Sequence, residues 1–348
     1  MAYTTINKSS LYQNTVTYQG TSGTTDVTGV GFQPDWIMTK DRGRAEHLSV
    51  YDAVRGGGKR VLTSATNAEN DEGSNGISAF NSDGFTCGQD GSSGQDGENY
   101  VAWNWKAGTT SGITTNGSTT ITPSSYSFNQ TAGISILKYS GNGTAGAKLA
   151  HGLGATPNFY ITKRLDDSSF WGVYHDSLTI TSNYALRLNT TGTQDASASY
   201  WNGTVADSVN LTLGDYADIN GSGNDYICYA FTSKIGYSKF GEYVGNGSTN
   251  GPMIFTGFKP ALVILKKYSN TGNWMIYDNK REGYNVDNDH LKVNSTDAEG
   301  TSDDLDLLSN GFKLRTSGSG ENGSGSNYIY MAFGQSIVGS NNIPATAF

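Results

Sequence analysis

Gly31-Phe-Gln-Pro34-Asp-Trp-Ile-Met-Thr-Lys40 is the first of three related stretches in this chain. The second is Gly154-Ala-Thr-Pro157-Asn-Phe-Tyr-Ile-Thr-Lys163 and the third Gly257-Phe-Lys-Pro260-Ala-Leu-Val-Ile-Leu-Lys266. Each reads Gly, two residues, Pro, five mostly apolar residues and Lys. Counting 17 residues on from each Pro gives Tyr51, Tyr174 and Tyr277, followed by Asp52, His175 and Asp278. Equal offsets in three places mark an internal repeat, which decides the fold before any single motif does.

The repeat extends both ways. Upstream stand Tyr18-Gln-Gly20, Tyr139-Ser-Gly-Asn-Gly143 and Tyr243-Val-Gly-Asn-Gly247, each a Tyr entering a turn. Downstream, Arg60-Val-Leu-Thr-Ser64, Ala185-Leu-Arg-Leu-Asn189 and Leu291-Lys-Val-Asn294 alternate like half-buried strands. Each copy closes on an aromatic strand: Tyr100-Val-Ala-Trp-Asn-Trp105, Tyr226-Ile-Cys-Tyr-Ala-Phe231 and Tyr328-Ile-Tyr-Met-Ala-Phe333. The period is two residues throughout, and Asn-Gly, Asp-Gly and Ser-Gly pairs supply hairpin turns between strands. Short strands with regular turn signals predict an all-β chain of three tandem β-sandwich modules, jelly-roll-like in character.

The expected divisions are an N-terminal docking arm at 1–14 and modules at 15–107, 133–235 and 239–337. A Thr/Ser/Gly-rich linker covers 108–132, and a tail covers 338–348. Thr119-Thr-Ile-Thr122 is an edge-strand candidate within the linker. Only about ten residues join the second and third modules, so they should pack together rather than swing.

Composition narrows the class. The 348 residues include 46 Gly, and only 35% are hydrophobic, yet 21 Tyr, 13 Phe and 6 Trp lie in separated bursts, unlike a disordered chain. No apolar run is long enough for a membrane span. The net charge of −8 argues against gripping nucleic-acid backbone. The first ten residues lack an apolar segment of signal-peptide length, so synthesis in a cytoplasm without Sec export is expected. Cys87 and Cys228 read as small buried hydrophobes rather than as a disulfide.

Chemistry-bearing candidates are few. His47, His151, His175 and His290 fit no metal-ligand spacing. No Gly-x-Ser-x-Gly turn accompanies His151-Gly-Leu-Gly154, so it reads as a turn. The acids of Asp166-Asp167, Asp303-Asp304-Leu-Asp306 and Asp215 to Asp225 read as solvated loops. The last of these and the loop Gly88 to Glu98 are also Ca²⁺-site candidates, although neither has EF-hand spacing. No catalytic residue, cofactor or metal is assigned. Two binding candidates remain. Lys40, Arg42, Lys163, Arg164, Lys266 and Lys267 end the same strand in each copy, either to touch acidic glycans or phosphate or to face carboxylates at a sheet edge. Trp201, with Tyr200 and Asn202, lies in a polar loop without a counterpart, either stacking on a sugar ring or anchoring the loop.

Several stretches also resemble a group of repeat-bearing structural proteins of marine tailed bacteriophages, cyanophages especially. They are Met1-Ala-Tyr-Thr-Thr-Ile6, Gly-Phe-x-Pro at 31–34 and 257–260, Tyr51-Asp-Ala-Val-Arg-Gly56, Tyr100-Val-Ala-Trp-Asn-Trp-Lys-Ala107 and His151-Gly-Leu-Gly-Ala-Thr-Pro157. Gly236-Tyr-Ser-Lys-Phe-Gly241, Tyr243-Val-Gly-Asn-Gly247 and Asn310-Gly-Phe-Lys-Leu-Arg315 extend the resemblance over nearly the whole chain. It implies a concanavalin-like or jelly-roll sandwich in a non-enzymatic virion surface protein, either a tail fibre contacting host glycans or a capsid decoration protein or head fibre. A glycan depolymerase is a further alternative. Other virion proteins are the implied partners, without nucleic acid or membrane insertion, and a homotrimer is expected by analogy with fibres.

Overall fold

The computed structural model describes residues 4–178, 183–281, 285, 289–302 and 304–336; the tail at 338–348 lies outside them. The chain is all-β, and every sheet is antiparallel apart from one isolated bridge. Three large sheets share one strand order. In the first, Gln13–Gln19 pairs with the closing strand Asn99–Trp105, which pairs with Trp36–Asp41, followed by Ser49–Asp52, Lys59–Leu62 and Asn70–Asp71. The second runs Ile134–Ser140, Asp225–Phe231, Phe159–Arg164, Gly172–His175, Tyr184–Arg187 and Asp195–Ala196. The third runs Ser238–Val244, Asn327–Gln335, Lys259–Lys267, Trp274–Asp278 and His290–Lys292. In all three the glycine three residues before the motif proline has positive φ, +87° at Gly31, +69° at Gly154 and +87° at Gly257. A side chain is disfavoured there, which explains why the residue recurs.

A small sheet covers the outer face of each large one. It comprises Thr25–Val27, Gly84–Cys87 and Ile77–Asn81 over the first, and Ala147–Ala150 with Asn210–Leu213 over the second. Over the third it comprises Met253–Phe255, Gly311–Leu314 and Leu305–Leu308. Each pair of sheets encloses its own core; Tyr51, Tyr174 and Tyr277 lie in these three cores. The opposite faces of the large sheets meet in a single shared core containing Trp36, Trp103, Trp105, Trp171, Tyr229, Phe231, Trp274, Met331 and Phe333. The large sheets are therefore buried on both faces. The strands expected to be half-buried, Lys59–Leu62, Tyr184–Arg187 and His290–Lys292, do mix buried and intermediate positions, whereas Trp36–Asp41 and Tyr226–Phe231 at the centre are buried at every position.

The two-residue period makes this possible. In the closing strand Val101, Trp103 and Trp105 point to the shared core, while Ala102 points to the first sheet's own core. The last aromatics of the closing strands meet, with Trp105 to Phe333 at 5.6 Å and Phe231 to Phe333 at 5.9 Å between ring centroids. Trp36 joins them, 4.4 Å from Trp105 and 5.4 Å from Phe231.

Polar contacts close the same arrangement into a ring. The Tyr229 hydroxyl donates to Asp52 at 2.6 Å, joining second sheet to first. His175 Nε2 donates to the Tyr330 carbonyl at 3.3 Å, joining second to third, and Trp103 Nε1 donates to Asp278 at 3.0 Å, joining first to third. Backbone bonds repeat the pattern: Glu69 N–H to Leu165 carbonyl, Gln194 N–H to Tyr268 carbonyl, and Glu299 N–H to Arg42 carbonyl. The three acceptors all lie eight residues after a motif proline.

The connecting segments belong to this body. Ser125–Asn129 adds an edge strand to Ile134–Ser140. The edge strand expected at Thr119–Thr122 reduces to one parallel bridge between Ile121 and Leu149. The described part of the expected docking arm packs onto the body. Ile6 is buried in the shared core, and Ser9 donates its N–H and hydroxyl to Gln335 Oε1 at 2.8 and 3.1 Å.

The ionic part of the seam varies as a set. Asp52 pairs with Arg55 at 2.5 Å and Asp278 with Arg281 at 2.7 Å, all with side chains at most 1% exposed. Arg55 also reaches Glu69, and Arg281 reaches Glu299. At the corresponding positions the second copy carries His175, Leu178 and Gln194, without a single one of these charges. Burial pushes the His175 imidazole below its ordinary value, matching a neutral ring that accepts the Ser177 N–H on Nδ1. Removing one member of a buried ion pair strands the other, at about 3–5 kcal/mol, whereas removing both is often tolerated. Arg281→Leu should therefore cost more stability than Asp278→His combined with Arg281→Leu, as measured by urea denaturation. A double variant less stable than the single one contradicts this reading of the seam.

Candidate functional site

The residues nominated for sugar binding are not presented to solvent. Trp201 ends the helical turn Ala198–Trp201 and is fully buried, edge-on to Tyr160 at 4.8 Å and Tyr174 at 6.0 Å. Tyr200 is buried beside it, its hydroxyl accepting from Arg187 Nε at 3.2 Å. Only Asn202 is exposed, in the left-handed conformation with φ +53° that ends the turn. The reason lies in the outer sheets. Those over the first and third large sheets have three strands, that over the second has two. The turn at 198–201 stands where the chain elsewhere places the third strand, and Trp201 fills the uncovered space. The stacking expectation is corrected accordingly: Trp201 is a core residue of the second unit.

The basic positions are corrected in the same way. Lys40, Lys163 and Lys266 are fully buried, and each donates to a carbonyl of its own hairpin and one of a neighbouring unit. Lys40 Nζ meets the carbonyls of Glu46 at 2.6 Å and Ser295 at 3.1 Å. Lys163 meets those of Ser169 and Thr66, both at 2.9 Å, and Lys266 those of Gly272 at 2.6 Å and Thr191 at 3.1 Å. Lys267 is buried and donates to the Ser319 carbonyl. Arg42 is taken up by Glu299 at 2.6 Å, and Arg164 by Asp166 at 2.7 Å. Lys40, Lys163, Lys266 and Arg42 thus bridge neighbouring units, whereas Lys267 and Arg164 are engaged within their own. Burial pushes the amines of Lys40 and Lys163 down to about 8 and that of Lys266 down to about 7.

The remaining candidates are also engaged. His151 is buried, its ring hydrogen-bonding the Asp207 carbonyl and the Leu153 N–H, as a structural turn requires. Cys87 and Cys228 are buried and unpaired. Asp90, in one Ca²⁺ candidate loop, pairs with Arg60 at 2.7 Å. Among the described residues no group of three His, Cys, Asp or Glu is arranged to hold a metal ion, and no helix is long and apolar enough to cross a membrane. Asp303 lies outside the described residues.

Two groupings escaped the sequence. In the third unit His290 Nδ1 lies 3.1 Å from Ser302 Oγ and 3.3 Å from Asp304 Oδ2, beside the buried Glu321. A Ser-His-acid relay needs hydroxyl and carboxylate on opposite ring nitrogens. Here both use one nitrogen, and Ser302 also donates to Asp304 at 2.5 Å. The group is a hydrogen-bonded cluster without that relay. Burial and the Asp304 charge push the Glu321 carboxyl up to about 7.

The second grouping is a cleft of about 480 Å³ where the linker crosses the base of the first sheet. Asp35 lies at its floor, 5% exposed, and Gln33, Thr110, Ser125 and Tyr126 line its walls. Backbone bonds fix Asp35: its N–H donates to the Trp105 carbonyl, and its own carbonyl accepts from Ala53, each at 2.9 Å. Oδ2 accepts the Ala107 N–H at 2.8 Å. Burial pushes this carboxyl up to about 6, against the opposing pull of the Ala107 bond and of Lys106. The signal available in the sequence was the departure from the repeat. After the motif proline the other copies carry Asn158 and Ala261.

The lysines generate a pH test. With the folded amine of Lys266 near 7 and an unfolded one near 10.4, the unfolded chain binds more protons between those values. The stability contributed at this position therefore rises with pH across that window. Neutral Lys266 still has two hydrogens for its two carbonyls, so the bonds survive deprotonation. The difference in urea midpoint between the natural protein and Lys266→Met should shift in favour of the natural protein from pH 7 to pH 10. A pH-independent difference contradicts the perturbed amine.

No curated protein and no solved structure matches the chain. Residues 8–336 match the model of a family described as a domain of unknown function, DUF7483, and the chain belongs to that family.

Proposed function

We propose that the protein is a non-catalytic structural component of a bacteriophage particle, most specifically a tail fibre or appendage that helps hold the particle to host-surface glycans. The observation that carries this reading is where the chain places its chemistry-bearing side chains. Lys40, Lys163, Lys266, Asp52, His175 and Asp278, equivalent in the repeat, are all buried at contacts between units. They serve rigidity rather than turnover. The resemblance to phage structural proteins over nearly the whole chain supports the same role. So does an acidic chain of net charge −8, suited to a soluble surface component. Different loops on one strand order give a scaffold able to vary its contacts.

In this reading the three large sheets with their covers are three copies of one sandwich of jelly-roll or concanavalin-like type. The protein is made in the host cytoplasm and ends on the virion, with other virion proteins as its partners. Any trimer would form outside the seam, because the inner faces of the three large sheets already cover one another within one chain. A capsid decoration protein or head fibre is the second reading, favoured by the ring itself, since three units in a ring match a threefold position on a shell.

Immunogold labelling of purified particles separates these readings. Signal confined to the tail is the expected result. Signal over the whole shell overturns the fibre assignment, and particles without signal overturn both.

A further inference from the structure

The cleft above Asp35 has the chemistry of a binding site that the repeat does not require. Asp35 as a residue is only 5% exposed, and of its carboxyl oxygens Oδ2 is the one bonded to protein among the described residues. Oδ1 finds no partner among the described residues. Oδ1 is the open acceptor of this carboxyl, and because Asp35 lines the cleft a ligand hydroxyl can donate to it there. Asn158, at the equivalent position, is fully employed: it donates to Asp176 at 2.5 Å and accepts the Ser233 N–H at 2.7 Å. Ala261 in the third copy has no polar group to offer.

The walls narrow the ligand class. Thr110 and Ser125 offer hydroxyls and Gln33 an amide, while Tyr126 and Val54 add a ring and methyl groups. No Lys, Arg or His lines the cleft, and the floor carries a carboxylate, so phosphate, sulfate and acidic sugars are disfavoured. The volume of about 480 Å³ lies in the range of small-molecule clefts. An edge of hydroxyls combined with apolar C–H faces complements acceptors beside an aromatic ring. The cleft is also held firmly. Gly108 N–H donates to Ser127 Oγ at 2.7 Å, and Thr109 and Phe128 exchange backbone bonds of 3.0 Å on the linker side.

We propose that this cleft binds a neutral pyranose, with Asp35 Oδ1 accepting hydrogen bonds from ring hydroxyls and Tyr126 flanking a sugar face. The site gives the proposed attachment role a ligand class, but it is tested on purified protein and so fails separately from the particle location. The probes are the methyl glycosides of glucose, galactose, mannose and N-acetylglucosamine at millimolar concentration. They are read by saturation-transfer NMR on the full chain. Transfer to at least one glycoside is expected. Thr110→Trp, which fills the cleft from its exposed rim, should abolish it, and Asp35→Asn should reduce it several-fold. Near-UV circular dichroism checks that both variants keep the native core. Absence of transfer to all four glycosides, or transfer undiminished in a folded Thr110→Trp protein, overturns the proposal.

Discussion

The structure depends on the contact among the last aromatics of the three closing strands, Trp105, Phe231 and Phe333. Each closing strand lies inside its large sheet with a strand paired on either side, and its side chains fall alternately on two faces. One face needs a cover from its own unit and receives the small sheet. The other needs an equally apolar cover, and only the matching faces of the two other units provide it. A strand of this kind is fully buried, and burying one large aromatic contributes about 1.5–3 kcal/mol. A single unit taken alone would expose the whole inner face. The ring is the arrangement that leaves no inner face uncovered.

The polar seam follows from that packing. Once the inner faces meet, groups at equivalent offsets are carried into the interior and must find partners there. The lysines ending the motif strands reach carbonyls across the seam, and each uses one local and one neighbouring acceptor. The acids after the motif tyrosines are neutralised by an arginine three residues later and accept from an aromatic side chain of another unit. Where His175 replaces the acid, Leu178 and Gln194 replace its ionic companions. The seam thus tolerates an ionic or a neutral solution, provided that all members change together.

Much of this is legible in the sequence. The motif prolines, the tyrosines 17 residues later and the aromatic closing strands mark the central strands of the large sheets and their alternation. The structure keeps these strands, though not the edge strand expected at Thr119–Thr122. Periodicity identifies two faces but not what covers the second, so the shared core beneath the closing strands is not legible from alternation alone. Lys40, Lys163 and Lys266 look like exposed strand ends because a lysine is seldom fully buried, and its carbonyl partners are remote in sequence. Trp201 looks exposed because its loop is polar; the missing third strand that creates its pocket is a tertiary fact. Asp35 sat inside the best-conserved element of the internal repeat, where a departure from the other two copies was the only local clue.

A ring held by one shared core should open as one unit. Native-state hydrogen exchange, followed at residues 100–105, 226–231 and 328–333, tests this most directly. The account predicts that the most protected amides of all three strands exchange with the same opening free energy and the same dependence on denaturant. Opening of one strand at a distinctly lower free energy, with the other two still protected, would show independent sandwiches and contradict the shared core.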